Sequence, residues 1–91
     1  AVERELLLVK VAATTEKRAE LIAMSEALHA RVLDLGPEAV LLELVGLPAE
    51  IDAFHELCKP YGIQDLIRTG RIGMSRPSAK RNGHKRVAAI N

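Results

Sequence analysis

Ninety-one residues set a single small domain as the ceiling, one that buries only about 60% of its unfolded surface. Hydrophobic residues make up 48% of the chain but include only one Phe, one Tyr and no Trp, so the apolar surface is aliphatic and ample for a core this size. The net charge of +1 hides an asymmetry: residues 1–75 carry eight Lys/Arg against twelve Asp/Glu, net −4, and residues 76–91 carry five Lys/Arg and no acid, net +5. Uncharged apolar runs such as Leu6 to Val9 are far too short to span a bilayer. Glu3, Arg4 and Glu5 stand where the apolar part of a signal peptide would have to begin. The single cysteine, Cys58, cannot form an internal disulfide and fits a reducing compartment. With Ala1 first and a strand-like segment a few residues later, the chain is expected to be a piece of a longer protein.

Glu5 to Ala13 alternates, with Leu7, Val9 and Val11 on one face and Leu6, Leu8 and Lys10 on the other, and reads as a strand apolar on both faces. Thr14 or Thr15 suits a helix cap. Leu21, Ile22, Ser25, Leu28 and His29 then recur at helical spacing, which predicts a helix over 15–30. Arg31 to Leu35 is a short strand, Gly36-Pro37-Glu38 a turn, and Ala39 to Val45 a third strand, so these two strands form an antiparallel hairpin. Pro48 opens a second helix over 48–59, with Ile51, Phe54, Leu57 and Cys58 facing inward. Pro60 and Gly62 stop it, and Gly62 to about Met74 gives a fourth strand, with a bulge or bend expected near Gly70. Residues 77–91 mix Pro, Ser, Gly and charge without a period and are expected to be a flexible basic tail.

The order β-α-β-β-α-β is the split βαβ, ferredoxin-like arrangement of the α+β class. It predicts a domain over 1–76 with a four-stranded antiparallel sheet and both helices on one face. The other face then exposes Leu6, Leu8 and, from the third strand, Leu41. Burying a leucine is worth roughly 1.5–3 kcal/mol, so this face is expected to self-associate, most simply as a two-fold dimer.

Catalytic and ligand motifs are sparse. His55 and Cys58 are three apart on a helix, and His29 lies elsewhere, short of the three or four ligands a metal needs. The same pair lacks a third orienting group for nucleophilic catalysis. Asp34 and Glu43 read as solvated strand carboxylates before they read as an acid–base pair. No glycine pattern forms a phosphate loop. RNA-binding domains of this fold stack bases on sheet aromatics, whereas Phe54 falls on a helix and Tyr61 just after it, so no specific nucleic acid is expected. The densest polar cluster is Arg68-Thr69-Gly70-Arg71, where two arginines flank a glycine at a strand end. Arg is favoured at interfaces, and exposed Arg pairs are also commonly just solvated.

Three stretches, ERELLLVKV (3–11), RVLDL with LLELVGLPAEIDAF (31–35 and 41–54), and KPYGIQDLIRTGRIGMSR (59–76), together resemble the C-terminal domain of the small, regulatory subunit of acetolactate (acetohydroxyacid) synthase. The segment from Tyr61 to Arg71 is the most specific part. The resemblance implies a non-enzymatic domain that binds and helps activate the catalytic (large) subunit in valine, leucine and isoleucine biosynthesis, in the bacterial cytoplasm. It makes Arg68, Thr69, Gly70 and Arg71 candidate contacts with that subunit. It implies no cofactor here, because thiamine diphosphate, Mg²⁺ and FAD belong to the catalytic subunit. The rival reading is a free-standing sensor that binds a small molecule or metal between protomers, which the fold alone does not separate from the first.

Overall fold

The computed structural model describes residues 3–70 and, as a strand, residues 87–90. The elements are β1 (Glu5–Ala12), α1 (Thr15–Ala27), β2 (Arg31–Leu35), β3 (Ala39–Gly46), α2 (Pro48–Cys58), a single 3-10 turn (Lys59–Tyr61), β4 (Ile63–Thr69) and β5 (Val87–Ile90). The sheet order is β2-β3-β1-β4-β5, with every neighbouring pair antiparallel. The first four strands and two helices are the expected ferredoxin-like unit.

Hydrophobic alternation selects the buried face. Leu7, Val9 and Val11 of β1, Val40, Leu42 and Leu44 of β3 and Leu66 of β4 form one cluster with Leu21 of α1 and Ile51, Phe54 and Cys58 of α2. Ser25 joins them without cost because its hydroxyl donates to the Leu21 carbonyl at 2.8 Å. Thr14 caps α1, its hydroxyl accepting from the Lys17 amide at 3.2 Å. At α2 the Glu50 carboxylate reaches back to the Leu47 amide, 2.7 Å away, with Pro48 in the first turn. Gly62 leaves the 3-10 turn with φ 103, a conformation side chains resist, and its carbonyl accepts from the Ala12 amide at 2.8 Å.

Several details differ from the sequence reading. Helix α1 stops at Ala27, not residue 30, because His29 adopts φ 66 and reverses the chain. Leu28 and His29 are therefore exposed, and Ala30 is buried beyond them. Leu57 was expected inside but is 44% exposed, because the inward line of α2 is Ile51, Phe54 and Cys58. The chain bends at Gly70, just past the end of β4, as expected, and a second irregularity lies farther back in β4: Lys10 pairs with Asp65 and Val11 with Ile63, so Gln64 is an extra residue. Residues 71–74, assigned to the same strand, lie outside the described residues. Residues 87–90, read as part of an elementless tail, pair with β4 from Leu66↔Ile90 to Thr69↔Val87. The short run VAAI suits a strand, and the outer side of β4 offers it free backbone partners. The rest of 77–91 lies outside the described residues.

Burial pushes the Cys58 thiol from its ordinary 9.0 up to about 11. The folded state thus retains a proton that the unfolded state gives up. This contribution to stability is fully present below pH 9 and is lost as pH rises through about 11. At pH 8, labelling of Cys58 by a maleimide should be slower than in the denatured chain by about 100-fold or more and should track unfolding. Labelling in the folded protein at the denatured rate would show that the thiol is accessible.

Candidate partner-binding surfaces

The strand end carrying Arg68, Thr69 and Gly70 lies between the start of β1 and the first turns of α2. Arg68 is opposite Leu7 in register, and its side chain turns toward the helices. Its Nε donates to Glu5 Oε1 at 2.7 Å, and its Nη2 lies 2.5 Å from the same oxygen. Its Nη1 donates to Asp52 Oδ1 at 2.7 Å. Desolvation disfavours the charged guanidinium, but the hydrogen bonds to Asp52 and Glu5 outweigh it and hold the group above its ordinary value. Thr69 is buried, its hydroxyl accepting from the Leu6 amide at 3.0 Å and donating to the Gly70 carbonyl at 2.9 Å. Gly70 is exposed, with nothing within 4 Å of where a Cβ would sit. Arg71 lies outside the described residues. The sequence reading weighed a partner-facing Arg68 against a solvated one and missed Glu5 and Asp52, which fix it within the chain.

Leu6, Leu8 and Leu41 lie on the sheet face away from the helices, each half-buried. Leu6 pairs with Val45, and Leu8 lies between Glu43 and Ile67, which makes this end of the face mostly apolar. Lys10 lies between Leu41 and Asp65, which makes the other end polar. The face is thus graded along the strands.

A cleft of about 610 Å³ opens between the helices, floored by Ala12 and Ala13 and walled by Met24 and Leu57. Tyr61 bridges it, its hydroxyl donating to Glu20 Oε1 at 2.5 Å, and this bond raises the phenol above its ordinary value. Among the described residues, no three of His, Cys, Asp and Glu are grouped to hold a metal. Glu43 pairs with Arg31 at 3.6 Å, and Asp34 lies opposite Leu41, so the two carboxylates do not form a pair. Phe54 belongs to the core. No helix among the described residues is long and apolar enough to cross a membrane.

The Arg68 side chain is only 23% exposed and Glu5 15%, whereas Asp52 is 66% exposed. Arg68→Ala should therefore lower the unfolding free energy by about 1–3 kcal/mol, because it strands the Glu5 carboxylate. Asp52→Ala should cost less than about 1 kcal/mol, as for other exposed pairs. Urea denaturation measures both, and equal small losses would make Arg68 an ordinary surface group.

Comparison with known proteins gives one consistent answer. The family model described as the small subunit of acetolactate synthase matches residues 4–77. A probable acetolactate synthase small subunit from Archaeoglobus fulgidus is 38% identical over 79 residues, covering 87% of this chain and 50% of that protein. One from Methanothermobacter thermautotrophicus is 44% identical over 78 residues, covering 85% of this chain and 46% of that protein. The crystal structure of the Thermotoga maritima acetolactate synthase small subunit superposes with a TM-score of 0.73 at 28% identity, covering 86% of this chain and 48% of that one. The chain spans about half the length of these relatives and belongs to the family of acetolactate synthase small subunits.

Proposed function

We propose that this chain is the C-terminal, non-catalytic half of an acetolactate synthase small subunit and acts by binding the catalytic subunit. The observation that carries this reading is the family match over residues 4–77. The fold shared with the Thermotoga maritima small subunit supports it. Binding would favour an active conformation of the catalytic subunit through differential affinity for its states. The reaction served would be the acetolactate-forming step toward valine, leucine and isoleucine, in the cytoplasm of a bacterium. The comparisons favour this reading over a free-standing sensor of a small molecule or metal.

Two surfaces are proposed for these contacts. The strand end at Arg68, Thr69, Gly70 and Arg71 would meet the catalytic subunit. Its described part is held rigid by the bonds of Arg68 and Thr69, which lowers the entropy lost on docking. The face of Leu6, Leu8 and Leu41 would meet a further copy of the chain, its apolar end supplying the driving force.

Adding an excess of the chain to purified catalytic subunit should raise acetolactate production, and Arg71→Ala should weaken that rise. No rise, together with no co-sedimentation, would remove the proposed role. Leu8→Glu, placing a charge between Glu43 and Ile67, should lower the average mass in sedimentation equilibrium. An unchanged mass would exclude the face as a self-association surface.

A further inference from the structure

Among the described residues the sheet has two edge strands, β2 and β5. β5 is a strand of four residues paired with β4. β2 has β3 along one side and, among the described residues, no strand along the other. An uncovered edge presents unpaired N–H and C=O groups, and proteins usually guard one with lysines, proline or inward charge. Here β2 is RVLDL, with Leu33 42% and Leu35 52% exposed, and Leu28 at the end of α1 is 39% exposed.

The register of β2 against β3 shows what fits this edge. Arg31 pairs with Glu43, Val32 with Leu42, Asp34 with Leu41 and Leu35 with Val40, which leaves Leu33 as an extra residue. Glu43 and Leu41 both lie on the face away from the helices. The bulge therefore brings Arg31 and Asp34, three apart in sequence, onto that same face; a regular strand would set them on opposite faces. Among the described residues, Arg31 is held only by a 3.6 Å contact to Glu43, and its side chain is 76% exposed. Asp34 is exposed and has no ion-pair partner among the described residues.

We infer that two copies of the chain pair antiparallel through β2, with Arg31 of each opposite Asp34 of the other. A two-fold axis normal to the sheet passes between the two Val32–Leu33 pairs. Both strands carry the same bulge, so the spacing from 31 to 34 matches on the two sides and both ion pairs form on one face. The same register brings Leu35 of the second copy beside Ala30, next to the exposed Leu28. The result is one continuous sheet with all helices on one side. The pairing does not depend on contact with the catalytic subunit and leaves the face of Leu6, Leu8 and Leu41 open.

Charge exchange tests this with the 91-residue chain carrying Leu8→Glu throughout, which removes association through the open face and stands as wild type at β2, labelled at its terminal amine with donor or acceptor dye. Energy transfer is read for wild type with itself, Asp34→Arg with itself, Arg31→Asp with itself, and Asp34→Arg mixed with Arg31→Asp. Each variant alone opposes like charges twice and should lose self-affinity on the order of tenfold. The mixture restores both opposite-charge pairs and should recover to within about threefold of wild type. It also retains the aspartate beside Glu43 that Arg31→Asp creates, so recovery is not a folding artefact. Equal transfer in all four arms would mean that the copies meet elsewhere than at β2 and would overturn edge pairing. So would a mixture as weak as the single variants, or no transfer in wild type up to millimolar concentration.

Discussion

Strand β1 lies in the middle of a sheet whose two helices cover only one side, and its sequence answers that position. Leu7, Val9 and Val11 meet the helices and are fully buried. Leu6 and Leu8 look the other way, where the described residues supply no second layer. A two-layer fold of this length has too few residues to close both faces of its sheet. The surface left over is what the domain has to offer partners, and core and binding surface are thus written on alternate residues of one strand.

The Arg68 cluster holds that central strand in place. It links the start of β1 through Glu5, the end of β4 through its own backbone and the entry of α2 through Asp52. Thr69 adds a bond to the Leu6 amide next door. Edge-on fraying of β1 is opposed at the end where the open face is most apolar, where loss of order would expose the most hydrophobic surface. A surface built for docking gains from this, because a strand already fixed loses little freedom when a partner arrives.

Most of the architecture was legible because periodicity changes cleanly from two to 3.6 and back along the chain. The hairpin, the Thr14 cap and the Pro48 start each follow from local chemistry that nothing distant overrides. The misses have a common cause. His29 sits in a left-handed conformation usually marked by glycine, so the end of α1 carried no signal. The extra residue Gln64 has no composition that announces a bulge, whereas the bend at Gly70 follows from its glycine. The partners of Arg68 lie 63 and 16 residues away, and only strand register brings them together. Strand β5 is a four-residue apolar run inside a segment whose overall composition argues for a coil.

That short strand has a consequence for growth. A twisted sheet with both margins free is a monomer for polymerisation, since every copy added exposes a fresh margin for the next. With β5 laid along β4, that margin is a strand of four residues where β4 alone would present seven. Very short edge strands are one way in which sheets discourage further pairing, so growth along the hydrogen-bonding direction is favoured at β2 over β5. Four residues thereby shorten one margin of the sheet and bias lateral association toward the other.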